Sequence, residues 1–180
     1  MFSILFVCTG NRCRSPYAHA VTQELAPDWV EIASAGTLDI AGARPPLELR
    51  QVADARGVNL SSYRSRPLTQ ATSEQPDLVI GMSLDHVATS VVNGGASAEK
   101  SFTFTEFVRL IETIGPEPSS NPKEAIAIVS AAHDHRTREK TFVPADDIED
   151  PVGGPRRGYE EMADRIDDLS KRLAAGMSWT

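Results

Sequence analysis

Apolar and polar positions along the chain form blocks that indicate short strands separated by helices. Apolar runs bounded by turn-forming residues predict four strands, at residues 3–7, 30–34, 77–82 and 101–104. Between them, helices are predicted at 15–25, 46–56, 84–92 and 105–111. This alternation predicts an α/β fold.

A last helix has the clearest pattern. Its apolar positions recur at intervals of three and four residues and mark one face, made of Tyr159, Met162, Ala163, Ile166, Leu169 and Leu173. Strands that alternate with helices favour a four-stranded parallel sheet with helices on both faces and a ligand at the carboxyl end of the first strand. The 180 residues suit a single domain, spanning 1–180.

The first predicted strand leads into a loop of the form CxxxxxR, from Cys8 to Arg14. Five intervening residues are enough to curl the backbone so that successive N–H groups converge on one anion. Gly10 and Asn11 are residue types that tolerate the positive φ of such a curl. Ser15 is expected to cap the following helix, whose N-terminus adds partial positive charge. The predicted phosphate-binding residues are Thr9, Gly10, Asn11, Arg12, Cys13, Arg14 and Ser15.

The same loop predicts covalent chemistry at Cys8. Amides, a helix N-terminus and an arginine favour the thiolate form of a nearby cysteine, which makes Cys8 a candidate nucleophile. Arg14 can present a planar fork to two phosphate oxygens, and the hydroxyl of Ser15 can donate to the sulfur. A phosphoryl transfer to sulfur also needs an acid for the departing oxygen. Asp150, in a Pro- and Gly-rich stretch, is the first candidate, and Asp147 and Asp146 are alternatives.

These motifs resemble the low-molecular-weight protein tyrosine phosphatases. The family pattern V-C-x-G-N-x-C-R-S-P reads Val7-Cys8-Thr9-Gly10-Asn11-Arg12-Cys13-Arg14-Ser15-Pro16 here, and the distant Asp-Pro reads Asp150-Pro151. Weaker similarities are the stretches at 34–37 and 63–69. The resemblance implies a nucleophile at Cys8, phosphate binding at Arg14 and the loop amides, loop support at Asn11 and Ser15, and a general acid and base at Asp150.

Departures from the family pattern concern the substrate. Many members have aromatic residues directly after the Asp-Pro, where this chain has Val152 and Gly153, and the protein-arginine phosphatases have threonine where this chain has Arg12. A guanidinium at the mouth of the cleft should repel phosphoarginine and attract acidic residues beside a phosphotyrosine. The resemblance and these residues together predict a phosphotyrosine phosphatase, with an arginine phosphatase as the alternative.

The interval before the Asp-Pro is longer than in the family, which predicts an insertion around 115–144. It begins with a turn-rich breaker, continues with a predicted helix at 123–132 and ends in a charged run at 133–140. We expect a solvated excursion rather than a lid. His133, Asp134 and His135 resemble scattered metal ligands, but no third His or Cys lies near, so no metal or other cofactor is predicted.

The cysteine count bears on both redox behaviour and alternative functions. Cys13 lies five positions after Cys8 and could trap an oxidised nucleophile as a disulfide. An arsenate reductase shares this fold and loop but normally uses three thiols, whereas this chain has two cysteines. A non-catalytic phosphate-binding module is a further alternative, disfavoured by the joint presence of nucleophile, arginine and acid. A nucleotide-binding loop is excluded because no Lys-Ser or Lys-Thr closes it.

Composition limits the partners and the compartment. A net charge of −7 without a basic stripe argues against nucleic-acid binding. No apolar run is long enough for a membrane span or has the flanks of a signal peptide. Two cysteines are too few for a disulfide scaffold, which favours a reducing, cytoplasmic location. The expected partner is a phosphorylated protein.

Overall fold

Four parallel strands form one sheet in the computed structural model, which describes residues 1–69, 72–73, 75–115, 119–138 and 147–179. The strands are β1 (Phe2–Cys8), β2 (Val30–Gly36), β3 (Leu78–Gly81) and β4 (Ser101–Thr103), in the order β2-β1-β3-β4. The helices are α1 (Arg14–Leu25), α2 (Leu47–Ala55), α3 (Leu84–Val92), α4 (Phe104–Ile114), α5 (Pro122–Arg138) and α6 (Arg156–Gly176). The predicted α/β fold is confirmed. Among the helices of these ranges, none is long and apolar enough to cross a bilayer.

The two faces of the sheet bury different amounts of apolar surface because side chains of a strand alternate between faces. On β1, Phe2, Ile4 and Phe6 join a large core that includes the apolar face of α6. Leu5 and Val7 point to the other face and join a smaller core. The central strand is therefore apolar on both faces, as expected for a parallel sheet.

The register of the strands decides where the site lies. Cys8 is paired with Gly36 at the end of β2, and Val7 is paired with Gly81 at the end of β3. The carboxyl ends of three strands thus meet at one edge of the sheet. Residues that follow β1, β2 and β3 are brought together there, at the position where ligands bind in open α/β sheets.

The segment expected to be a solvated excursion contains a long helix instead. Helix α5 spans Pro122–Arg138, so it continues six residues beyond the predicted helix and includes part of the charged run. Ala125, Ile128, Val129 and Ala132 are buried in the large core. Their spacing places them on one face of the helix, which explains why it packs against the domain. Residues 116–118 and 139–144 of the predicted insertion lie outside the described residues.

Candidate active site

The loop after β1 closes tightly against the end of β2. The backbone N–H of Thr37 donates to the carbonyl of Cys8, and that of Leu38 donates to the carbonyl of Thr9, both at 2.9 Å. Asn11 adopts the left-handed conformation, with φ of 47°, as the sequence predicted. The same prediction for Gly10 is wrong, since its φ is not positive. One left-handed residue is sufficient for the turn in this loop.

A line of buried hydrogen bonds ends at the sulfur of Cys8. The hydroxyl of Tyr63 donates to Oδ1 of Asn11 at 2.8 Å, and Nδ2 of Asn11 donates to Oγ of Ser15 at 2.9 Å. The hydroxyl of Ser15 then donates to Sγ of Cys8 at 3.0 Å. Burial raises the pKa of Tyr63, which keeps its phenol protonated as a donor. All these donors point toward the sulfur, an arrangement that favours negative charge there.

Ser15 therefore does something other than the predicted capping. Helix α1 begins at Arg14, the N-cap position is Cys13, and no side chain caps this end. The free N–H groups of the first turn stay available to an anion in the loop. Pro16 lies in that first turn, where it removes no helical hydrogen bond. The helix end is thus left open toward the ligand site.

The guanidinium of Arg14 is buried, with 5% of the residue exposed, and is held by three oxygen atoms. Its Nη1 donates to the carbonyl of Ile148 at 3.1 Å. Its Nη2 donates to Oγ1 of Thr9 at 3.1 Å and to Oδ2 of Asp150 at 2.6 Å. The Nε atom is buried and has no hydrogen-bond partner among the described residues. Because Nε and Nη2 share one edge of the guanidinium, this edge can donate to two oxygens of a phosphate once Asp150 moves away.

The structure separates the candidate acids. Asp150 is half-exposed and forms an ion pair with Arg14, although 136 positions separate the two residues. Asp147 instead contacts the start of α3, where its Oδ1 accepts from the backbone N–H of Leu84 at 2.8 Å. It therefore caps a helix. Asp146, the other alternative, lies outside the described residues.

A small cleft of about 160 Å³ opens above Cys8. Its outer walls are Leu38, Ile40 and Val152, all aliphatic, and Arg12 also lines it. The Nε atom of Arg12 donates to the carbonyl of Arg44 at 3.0 Å, which holds the side chain across the loop. The predicted position of Arg12 at the mouth of the cleft agrees with this lining.

Cys13 lines the same cleft as Cys8, and both are buried free thiols. Burial raises the pKa of the Cys13 thiol, and the negative charges of Asp150 and Cys8 raise it further. Cys13 is therefore a neutral thiol at physiological pH.

Some polar residues of the site have no separate sequence signal. His86, in the first turn of α3, places Nε2 2.9 Å from Oγ1 of Thr9. Tyr63 lies in a stretch that resembled the family, yet nothing in the residues themselves indicated its bond to Asn11. The histidines considered as metal ligands lie far from this cleft in the sequence, on α5. Among the side chains that the structure describes, no group of three or more His, Cys, Asp or Glu could hold a metal ion.

A buried thiol and a buried arginine that line one cleft, in a loop between a strand and a helix, are typical of cysteine-dependent phosphatases. Comparison with known proteins gives the family. The model for low molecular weight phosphotyrosine protein phosphatases matches residues 3–117. The chain therefore belongs to that family, and it is a hydrolase of phosphorylated substrates.

Individual relatives differ in the substrate that their names give. A protein-arginine-phosphatase of Geobacillus stearothermophilus is 28% identical over 173 residues, which cover 96% of this chain and 94% of that protein. A putative low molecular weight protein-tyrosine-phosphatase of Klebsiella pneumoniae is 31% identical over 130 residues, 72% of this chain and 88% of that protein. The solved structure of the YwlE arginine phosphatase from Geobacillus stearothermophilus matches with a TM-score of 0.72 at 28% identity, covering 97% of this chain and 91% of that one.

Proposed function

We propose that this phosphatase hydrolyses phosphotyrosine in proteins through a phosphocysteine intermediate. In this proposal Cys8 is the nucleophile, Arg14 binds the phosphate, and Asp150 is the general acid and base. The supporting observation is the contact of 2.6 Å between Asp150 and Arg14, which brings a distant carboxylate over the loop that contains the thiol.

In the first step, the thiolate of Cys8 attacks phosphorus and a P–S bond forms as the bond between phosphorus and the tyrosine oxygen breaks. Asp150 donates its proton to that departing oxygen. The hydroxyl of Ser15, 3.0 Å from the sulfur, stabilises the thiolate before attack and again when it leaves. In the second step, water attacks phosphorus, Asp150 accepts a proton from the water, and the P–S bond breaks to release phosphate.

Arg14 exchanges partners as substrate binds. Nη2 of Arg14 donates to Asp150, and its Nε has no partner among the residues that the structure describes. A phosphate dianion can take both donors at once, which releases the carboxylate of Asp150 and places negative charge beside it. Substrate binding thus frees Asp150 from Arg14 so that it can transfer a proton.

Replacement of the nucleophile tests this mechanism. We expect Cys8→Ser to fold and bind phosphate but to have essentially no turnover, because a serine hydroxyl stays protonated and is a poor leaving group. Acid quenching of the unmodified enzyme during turnover should yield a phosphorylated peptide containing Cys8, which mass spectrometry identifies. Turnover of Cys8→Ser at the unmodified rate would end the proposal.

The charges and walls of the cleft support phosphotyrosine over phosphoarginine. Arg12 lines the cleft, and its terminal nitrogens have no hydrogen-bond partner among the described residues. The one carboxylate in the lining, Asp150, is paired with Arg14. A second guanidinium, carried by the substrate, would therefore meet an unpaired positive charge. An aromatic ring would instead meet the aliphatic walls formed by Leu38, Ile40 and Val152.

Phosphoarginine stays the second candidate because a relative of nearly the same length has the name of a protein-arginine-phosphatase. The decisive measurement is the ratio of kcat/KM for a phosphotyrosine peptide and a phosphoarginine peptide of the same sequence. We expect this ratio to favour phosphotyrosine in the unmodified enzyme and to be smaller in Arg12→Thr. An unmodified enzyme that is faster on phosphoarginine would refute the argument from Arg12.

We further propose a cytoplasmic location. Cys8 and Cys13 are both free thiols, and the mechanism requires that Cys8 stays reduced. Fractionation of cells that produce the protein would test this.

A further inference from the structure

A buried histidine, His86, contacts the loop after β1 at Thr9. His86 is 5% exposed and lies in the first turn of α3. Its Nδ1 is 2.7 Å from Oγ of Ser83, and its Nε2 is 2.9 Å from Oγ1 of Thr9. Oγ1 of Thr9 also accepts from Nη2 of Arg14 at 3.1 Å. Two hydrogen bonds therefore connect the imidazole to the guanidinium.

The direction of these bonds follows from the donors available. A guanidinium donates only, so Oγ1 of Thr9 accepts from Arg14 and keeps its own proton to donate. Nε2 of His86 can accept that proton if the imidazole is neutral and Nδ1 carries the hydrogen toward Ser83. Burial, followed by the positive charge of Arg14, lowers the pKa of His86 to about 4, so the ring is neutral at physiological pH.

Other charged groups around His86 have the opposite effect. The pKa of His86 is raised by three carboxylates, Asp147 and Asp150 in the loop before α6 and Asp85 in α3. Their effect is smaller than that of burial and Arg14. Asp147 also caps α3 at Leu84, one residue after Ser83. The start of α3 is thus held by the same loop that contributes Asp150.

We propose that His86 is a positioning residue, which orients Thr9 so that its hydroxyl fixes the guanidinium of Arg14 with the Nε–Nη2 edge toward the phosphate. This inference rests on the proposed role of Arg14. Nη1 is fixed from the other side by the carbonyl of Ile148. With both terminal nitrogens held, the guanidinium does not have to be ordered when substrate binds, which lowers the entropic cost of binding and reaction.

A double-mutant cycle between Thr9 and His86 tests this. Thr9→Val keeps the backbone amide and the shape of the side chain but removes the hydroxyl, and His86→Leu removes the ring. We expect each change to lower kcat/KM on an aryl phosphate by about tenfold, the scale of a lost hydrogen bond. Because both act through one path, the double variant should be no worse than the poorer single variant. Factors that multiply in the double variant would overturn the proposal.

Conservative and control variants separate positioning from general damage to the fold. His86→Gln places an amide near the position of Nε2 and should recover most of the loss. Ser90→Ala removes another buried hydrogen bond of the same helix, from Oγ of Ser90 to the carbonyl of His86 at 2.8 Å. It should lower the thermal midpoint while leaving kcat/KM within about twofold, since it does not reach Arg14. A loss of activity in Ser90→Ala equal to that in His86→Leu would show a merely structural role.

The affinity for orthovanadate, measured without turnover, distinguishes this proposal from the proposed function. We expect Thr9→Val and His86→Leu each to weaken orthovanadate binding, and the double variant to bind no more weakly than the poorer single variant. If the unmodified protein hydrolysed no phosphate ester, the proposed function would fail while the orthovanadate cycle still decided the role of His86. If turnover were normal and His86→Leu bound orthovanadate like the unmodified protein, only the role of His86 would be wrong.

Discussion

Adding one methyl group at Gly36 should disturb the phosphate loop more than any change of similar size on the surface. A Cβ on Gly36 would lie 2.8 Å from the backbone N of Asn11, and 2.9 Å from both C of Gly10 and O of Thr9. All three neighbours are backbone atoms of the phosphate loop. They cannot rotate away, so Gly36→Ala must displace the loop or the end of β2.

The size of the displacement follows from ordinary contact distances. Non-bonded heavy atoms favour separations from about 3.5 Å, so the N of Asn11 must move by about 0.7 Å. Overpacking of this kind costs about 1–3 kcal/mol. At about 2–4 °C per kcal/mol for a chain of this length, the thermal midpoint should fall by about 4–8 °C for a cost of ~2 kcal/mol. The variant should still fold, because domains have about 5–15 kcal/mol of stability.

Activity should fall further than stability. A displacement of about 1 Å in a catalytic group can cost on the order of 100-fold, so we expect kcat/KM to fall by about 10- to 100-fold. The assay is hydrolysis of an aryl phosphate at a temperature well below both thermal midpoints, combined with orthovanadate binding. Weaker orthovanadate binding would place the damage in the loop.

Gly158→Ala is the matched control. It lies in the first turn of α6, and its added Cβ would meet the Cβ of Pro151 at 3.5 Å, an ordinary contact. We expect unchanged kcat/KM and a stability gain of up to about 1 kcal/mol from the better helix former. If Gly36→Ala kept the unmodified kcat/KM and thermal midpoint, the close packing of β2 against the phosphate loop would not constrain the site as argued.

Three further predictions concern the acid, the second thiol and the buried histidine. Asp150→Asn should slow esters with poor leaving groups far more than activated aryl esters, and equal losses across a leaving-group series would mean that Asp150 is not the acid. Peroxide should inactivate the enzyme reversibly through a Cys8–Cys13 disulfide, which mass spectrometry can identify. Cys13→Ser should recover less activity with dithiothreitol than the unmodified enzyme because its Cys8 is open to further oxidation, and equal recovery would exclude a resolving role for Cys13. The free energy of unfolding should rise by up to about 3 kcal/mol from pH 4 to 6.5, because the unfolded histidine binds a proton that buried His86, with its pKa near 4, does not. Urea unfolding of His86→Gln across this pH range should show a smaller rise. An equal rise in the variant would show that His86 is not the group responsible.

The part of the site that is local in sequence could be predicted from the residues. The loop, its thiol and its arginine lie between one strand and one helix, so spacing alone places them together. Asp150 was predicted from its position in a Pro- and Gly-rich stretch and from the resemblance of Asp150-Pro151 to a family motif. His86 could not be found in either way, because its partner Thr9 is 77 positions away and only the fold brings them together.

Two errors have identifiable physical causes. The turn-rich stretch before α5 and the charged run at its end led to the prediction of a solvated segment. Four apolar residues of the helix nevertheless repeat at helical spacing and are buried: Ala125, Ile128, Val129 and Ala132. That periodicity was present in the sequence and indicated a packed helix. The error at Ser15 has another origin, since a serine near a helix start usually caps the helix. Here the hydroxyl is turned to Cys8 instead, because Asn11 donates to it from the loop.

The ion pair between Asp150 and Arg14 also bears on how the product leaves. In the proposed mechanism, inorganic phosphate takes the donors of Arg14 after hydrolysis, and the carboxylate of Asp150 competes for Nη2 of the same guanidinium. Its return favours dissociation of the product, so the active site empties faster than a preformed cationic pocket would. The same competition weakens substrate binding and raises KM. Because it weakens the binding of substrate and product alike, it leaves the rate of the chemical step unchanged. If Asp150 competes with product in this way, the proposed mechanism predicts that free phosphate inhibits the enzyme only weakly.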